Sequence, residues 1–271
     1  MSSIVKLNSR IEGEGPAIVL MHGLFGSHRN WFSVQRQLAI SWQVHALDLR
    51  NHGGSPWADE MSYQAMADDV QAYLVTRQIE SAVILGHSMG GKVAMSIAAQ
   101  APGLVRALVV VDIAPVVYQP SLRPFLSAMM ALDLKMVSRR SDADRALSEG
   151  VPDPMVRGFL LQNLVGKSSA YEWRINLSAI DHYLEQLGEE PAGVANDRAS
   201  VDSAAGAGRY GGPVLSIYGD RSEYMRPPHR ERLAQVFPTT QFLGIANAGH
   251  WVHAEQADAF SDGLFAFLAK L

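Results

Sequence analysis

One pentapeptide, Gly86-His87-Ser88-Met89-Gly90, constrains this chain more than any other stretch. It follows the apolar run Ala82-Val83-Ile84-Leu85 and precedes a run rich in Ala, Met and Ile. Gly-x-Ser-x-Gly between a buried strand and a helix puts the serine on a sharp turn, its hydroxyl standing clear of the backbone. Glycines flank it because larger residues would clash in so tight a turn. The helix that follows points free N–H groups, and its positive end, back toward the serine. Ser88 is therefore a candidate nucleophile. The plain alternative is a serine in a glycine turn with no chemistry.

The rest of the chain supplies the sheet that such a turn needs. Short apolar runs at 17–21, 43–47, 82–85, 107–111, 214–218 and 240–245 are rich in branched side chains and bounded by Gly, Pro or Asp. Continuous apolar runs suit strands covered on both faces, as in a parallel sheet. Helical patterns lie between them, at 63–77, 89–100 and 257–271, the last with Phe260, Leu264, Phe267 and Leu268 on one stripe. The alternation predicts an α/β fold with a mainly parallel, doubly wound sheet. It breaks between about 116 and 212, where helical patterns at 121–137, 154–165 and 177–187 follow one another with no convincing strand. The expected organisation is a core of 1–115 and 213–271 with a helical cap, 116–212, inserted in it. Residues 191–212 read as a loop, with the glycines at 206 and 208 as a flexible joint.

Composition narrows the function classes. At 271 residues and 48% apolar, the chain can bury a sizeable core. A net charge of −4 and scattered arginines argue against a nucleic-acid surface. There is no cysteine, which removes disulfides, thiolate metal sites and a cysteine nucleophile together. No secretory signal and no run long enough to span a bilayer is visible. The expectation is a soluble, cytoplasmic protein with no membrane partner.

A His-Gly turn at 22–23, an elbow serine, an acid after the next strand and a late histidine stand in order. That arrangement resembles the α/β-hydrolase superfamily over nearly the whole chain. Three further segments resemble the YbfF-like small bacterial esterases: His22-Gly23-Leu24-Phe25-Gly26-Ser27, Asp48-Leu49-Arg50-Asn51-His52-Gly53-Gly54-Ser55-Pro56 and Val111-Asp112-Ile113-Ala114-Pro115. The last two are more specific than Gly-x-Ser-x-Gly alone.

The resemblance implies roles for single residues. A serine hydroxyl is a poor nucleophile at neutral pH and needs a base during attack. His250, on the loop after the last strand, stands where the family keeps it. The local rival, His253, is placed at the start of the following helix. The acid must orient the imidazole and stabilise its charged form. The usual slot, four residues counted from Gly219, holds Ser222, while Asp220 and Glu223 flank it out of position. The YbfF-like group instead carries its acid at the position of Asp112 and a serine in the usual slot, and this chain matches both. Asp112 is thus assigned as acid and Ser222 as a supporting hydroxyl near His250, with Asp220 as the rival. The backbone N–H groups of Leu24 and Met89 are the expected oxyanion hole. His22 and the 48–53 segment read first as loop scaffolding. A metal site from His22, His52 and His87 is rejected, since no pair has ligand spacing on a common helix.

Substrate is the least legible part. Phe25, Met129, Phe159 and Trp251 are candidate substrate-binding residues, and the cap's apolar side chains could wall an acyl site. The expected activity is a cofactor-free serine carboxylesterase on small-molecule acyl esters of short to medium chain, with acyl-CoA thioesters secondary. A C–C bond hydrolase or perhydrolase using the same triad is the alternative. A non-catalytic ligand-binding homologue is the third reading.

Overall fold

The computed structural model describes residues 3–119, 121–167, 170–194 and 210–271. The joint expected at 206–208, and most of the loop around it, lie outside the described residues.

The core strands in chain order are β1 (Ser9–Glu12), β2 (Ala17–Met21), β3 (Gln43–Leu47), β4 (Ala82–His87) and β5 (Val105–Val111). A two-stranded antiparallel sheet, β6 (Leu164–Lys167) with β7 (Ala170–Trp173), comes next, followed by core strands β8 (Val214–Gly219) and β9 (Thr240–Ile245). The helices are α1 (Phe32–Leu38), α2 (Tyr63–Thr76), α3 (Met89–Gln100), α4 (Arg123–Ala131), α5 (Arg140–Leu147), α6 (Pro154–Leu161), α7 (Leu177–Gly188), α8 (Pro227–Val236), α9 (Val252–Glu255) and α10 (Ala257–Leu268).

The main sheet runs β1-β3-β2-β4-β5-β8-β9, parallel throughout except for the β1–β3 pair. Its central strands β2 and β4 are buried almost throughout, with both faces covered. Val19, Met21, Ile84 and Val110 pack with Met66 and Val70 of α2 and Val93 of α3. Their neighbours in sequence, Ile18, Leu20, Leu85 and Val109, pack with Leu38 of α1 and with Phe260 and Leu264 of α10. The fold is therefore the doubly wound α/β architecture that the apolar runs imply.

Several elements depart from the sequence reading. The strand β1 is a polar edge strand, Ser-Arg-Ile-Glu, and carries no apolar run to betray it. The predicted helix at 121–137 stops at Ala131, and a single tight turn at Leu134–Met136 follows, capped by Asp133. The helix predicted over 154–165 ends at Leu161, because the chain there turns into β6. The 116–212 segment thus contains a β-hairpin as well as helices. Its register pairs Leu164 with Trp173 and Val165 with Glu172, and Leu164 belongs to a small separate core with Val137, Leu147 and Leu161.

This segment is fastened to the rest of the fold by polar contacts. The Asn163 amide donates to the Phe25 carbonyl (2.7 Å), and the Asn176 amide to Asn51 Oδ1 (3.0 Å). Lys92 of α3 donates to the carbonyls of Val116 (3.1 Å), Gly188 (2.9 Å) and Glu189, so one buried side chain ties the start of the segment to the end of α7. Among the described residues no helix is long and apolar enough to cross a membrane.

Candidate active site

Ser88 is the single residue between β4 and α3, with φ 52° and ψ −117°. A side-chain-bearing residue holds such a conformation only when its surroundings enforce it. Here the Ser88 N–H donates to the Val111 carbonyl (3.0 Å). A Cβ on Gly86 would lie 2.0 Å from the Gly90 carbonyl oxygen, and one on Gly90 would lie 2.6 Å from that of His22. Both glycines of the pentapeptide are thus demanded by backbone packing around the serine.

The Ser88 hydroxyl donates to His250 Nε2 (3.0 Å), and His250 Nδ1–H donates to Asp112 Oδ2 (2.7 Å). Asp112 is fully buried just past the end of β5, itself at φ 53°, and its N–H donates to the Ile217 carbonyl (2.8 Å). Its Oδ1 accepts from the Gly219 N–H (3.0 Å). Ser222 also donates to Asp112 Oδ2, so this hydroxyl reaches the carboxylate rather than His250. Asp220 is exposed, and among the described residues its side chain makes no hydrogen bond. Glu223 pairs with Arg226.

The His250 ring is held from its sides. Tyr224 stacks on it at 4.1 Å, and His87 lies 4.7 Å away. His87 Nε2–H donates to the His250 carbonyl (2.9 Å). Burial, then the neighbouring His250 and His253, holds the His87 pKa well below its ordinary value, so this ring stays neutral. His253 is turned away, stacked on Trp31 at 4.6 Å, and burial lowers its pKa to about 4. Sequence reading weighed His87 only as a metal ligand and did not single out Tyr224, and it placed neither beside His250. The available signals were their positions, one inside the elbow pentapeptide and one two residues past Ser222.

The loop carrying Leu24 crosses directly over the elbow. A Cβ on Gly23 would lie 2.9 Å from His87 Nδ1 and 3.2 Å from Ser88 Cβ. Among the described residues the N–H groups of Leu24 and Met89 have no hydrogen-bond acceptor. His22 fixes this loop: Nδ1–H donates to the Gly23 carbonyl (2.8 Å), while Nε2 accepts from the Leu49 N–H (3.1 Å). Asp48 supports it from below, accepting from the His28 and Gly54 N–H groups (2.7 Å each) and from the Asn8 amide (2.8 Å). Burial alone would raise the Asp48 pKa, but the His28 bond, the nearby His22 and these backbone donors hold it well below the usual carboxylate range. Arg50 is buried against Asp69 (2.6 Å). The 48–54 segment is scaffolding for the loop over the serine.

Two clefts meet at Ser88. Phe25, Phe159 and Trp251 border the first. Met129, the fourth candidate substrate residue, is fully buried in the apolar core and borders neither cleft. Among the described residues no group of three or more His, Asp or Glu side chains is arranged to hold a metal ion. The arrangement can activate a hydroxyl, hold a developing oxyanion and return a proton to a leaving group.

The chain is similar to known proteins in sequence and in fold. The sequence pattern of the alpha/beta hydrolase fold family matches residues 16–257. The sn-1-specific diacylglycerol lipase ABHD11 of Mus musculus is 37% identical over 262 residues, covering 94% of this chain and 81% of that protein. Esterase YbfF of Escherichia coli K12 is 36% identical over 246 residues, 89% of each. The solved structure of a marine microorganism esterase superposes with a TM-score of 0.89 at 32% identity, covering 97% of this chain and 99% of that one. The chain therefore belongs to the α/β-hydrolase fold family and, within it, to the group of enzymes named esterases and lipases that includes esterase YbfF.

Proposed function

We propose that the protein is a serine carboxylesterase acting on small-molecule esters of short to medium acyl chain, with acyl-CoA thioesters as secondary substrates. In this reading Ser88 is the nucleophile, His250 the base, Asp112 the acid and Ser222 a support for Asp112. The continuous relay from Ser88 to His250 (3.0 Å) to Asp112 (2.7 Å), opening on two clefts, carries the reading. The esterase and lipase names of its relatives support it.

The chemistry follows from the atoms. His250 Nε2 takes the Ser88 proton as Oγ attacks the ester carbonyl. The carbonyl oxygen becomes an oxyanion facing the N–H groups of Leu24 and Met89. His250 returns the proton to the ester oxygen, the C–O bond breaks, and the alcohol leaves an acyl group on Ser88. Water repeats the sequence and releases the acid. In this reading residues 1–115 and 213–271 make up the hydrolase core and 116–212 the inserted cap, whose Phe159 borders one cleft and Leu187 the other. The absence of cysteine fits work in the cytoplasm.

The test pairs turnover with labelling. The protein should hydrolyse p-nitrophenyl acetate and butyrate and take up one fluorophosphonate on Ser88, and Ser88→Ala should do neither. A folded wild-type protein that neither turns over these esters nor is labelled contradicts the proposal.

A further inference from the structure

The turn that crosses Ser88 is strained in a way its own residues do not relieve. The Gly26 N–H donates to the Gly23 carbonyl (3.0 Å), closing a four-residue turn with Leu24 and Phe25 at its centre. Phe25, the third residue of the turn, has φ 63°. Turns with positive φ at that place ordinarily carry glycine or asparagine, and a bulky side chain stays there only when its surroundings enforce it. Left alone, Phe25 would relax to negative φ, and the peptide units on either side would rotate with it. The Leu24 N–H, the expected second donor of the oxyanion hole, stands one residue away. Such a donor works only if it is fixed in place before charge develops.

Two side chains from outside the turn hold Phe25. From the core side, His52 Nε2 accepts from the Phe25 N–H (3.3 Å), while its Nδ1–H donates to the Arg50 carbonyl (2.9 Å). Burial lowers the His52 pKa to about 3, so the ring stays neutral and Nε2 stays an acceptor. From the inserted segment, the Asn163 amide donates to the Phe25 carbonyl (2.7 Å), joining residues 138 positions apart. Asn163 is itself locked where α6 gives way to β6, and only 3% of it is exposed. Its amide also reaches the Leu160 carbonyl (3.2 Å), and its own carbonyl accepts from the Arg174 N–H (2.8 Å). Both main-chain polar groups of Phe25 are thus taken, one from each part of the protein.

We infer that Asn163 is a positioning residue for the oxyanion hole: by fixing the Phe25 carbonyl, it makes the placement of the Leu24 N–H depend on the seating of the inserted segment. This rests on the esterase reading above, with Leu24 as an oxyanion donor. Asn163 borders neither cleft, so it has no part in holding the substrate. It makes no contact with the relay of Ser88, His250 and Asp112 either. Its effect therefore falls on the stabilisation of the developing oxyanion alone. A protein that lacks this one amide keeps its nucleophile and base in register and loses the fixed position of one oxyanion donor.

The experiment compares the full chain with Asn163→Ala, using p-nitrophenyl butyrate as substrate and trifluoromethyl propyl ketone as inhibitor. The ketone adds to Ser88 reversibly. The Oγ–C bond forms, the carbonyl π pair moves onto oxygen, and the serine proton passes to His250 Nε2, so a stable oxyanion sits where the hole must hold it. In the variant kcat should fall about tenfold, less than the hundredfold or more, roughly, of a deleted oxyanion donor, with KM within about twofold. The inhibition constant of the ketone should rise by the same factor as kcat/KM falls. The acid limb of the kcat profile against pH, which reads the base, should stay in place. Trp57→Phe removes a different bond to the segment, from Trp57 Nε1–H to the Arg174 carbonyl (3.3 Å), and should leave kcat within about twofold. Asn163→Ser serves if the alanine variant unfolds. An unchanged kcat, a ketone that binds the variant as tightly as the wild type, a shifted acid limb, or an equal loss in Trp57→Phe each overturns the inference. A wild-type protein that forms neither acyl-enzyme nor ketone adduct overturns the esterase reading itself, an outcome distinct from the others.

Discussion

Ser222 donates its hydroxyl to Oδ2 of Asp112, the same oxygen that accepts Nδ1–H of His250 (2.7 Å). The Gly219 N–H fills Oδ1 from the other side (3.0 Å). A buried carboxylate with its lone pairs so occupied cannot rotate, and the imidazole inherits that orientation. Ser222 also accepts from the Tyr224 N–H (3.2 Å), tying the stack beneath His250 to the same hydroxyl.

Ser222→Ala should therefore lower kcat about tenfold, the worth of one hydrogen bond to a charged group. Ser222→Thr, which keeps the hydroxyl, should recover most of the loss. Steady-state hydrolysis of p-nitrophenyl butyrate checks both, and an unchanged kcat in the alanine variant would deny Ser222 its role.

Gly23→Ala should slow catalysis about a hundredfold through kcat, with little change in stability. The added methyl would sit 2.9 Å from His87 Nδ1 and 3.2 Å from Ser88 Cβ, so the loop must lift and carry the Leu24 N–H away from its proposed place in the oxyanion hole. Thermal unfolding measured beside kcat separates this from a folding defect.

The buried histidines give the fold an acid limit. Burial lowers His253 to about 4 and His52 to about 3, against 6.5 for a free imidazole. Between those values and 6.5 the unfolded chain binds more protons than the folded one, so stability rises with pH across the window and is lost on acidification. His253 Nδ1 has no hydrogen-bond partner among the described residues, and its ring lies against Trp31 and Phe260. His253→Phe should raise Tm by a few degrees more at pH 5 than at pH 8. Parallel Tm curves for the two proteins would contradict this account.

Lys92→Met should cost about 2–3 kcal/mol, since it strands the carbonyls of Val116, Gly188 and Glu189. Burial lowers the Lys92 pKa to about 7 from 10.5, so the wild-type protein gains stability as pH rises through that interval. The methionine variant should lose that gain. Denaturant unfolding at pH 7 and pH 9 measures both effects.

The core was legible in the sequence because its central strands are apolar runs covered on both faces, as with Val19 beside Leu20. The same rule hid β1, a polar edge strand, and the β6–β7 pair, whose four-residue strands are too short to show a period. Ser88 and His250 could be placed by order along the chain. Asp112 could be placed only through the serine standing in the usual acid slot, since an aspartate before a proline also reads as a cap. The contacts of His87 and Tyr224 with His250 could not be read because they join residues 163 and 26 positions apart. The burial of Met129 escaped for a related reason: helical spacing does not say whether an apolar side chain faces a core or a cleft.

The identity of the acid is the most exposed part of the account. Asp112→Asn keeps the shape of the side chain but stabilises the wrong imidazole tautomer, and should lower kcat about 10⁴-fold. Asp220→Asn, on an exposed side chain, should leave kcat within about twofold. The decisive measurement is kcat for these two purified variants on p-nitrophenyl butyrate. A crippled Asp112→Asn beside an active Asp220→Asn is the predicted result. The reverse pattern would contradict the site as described.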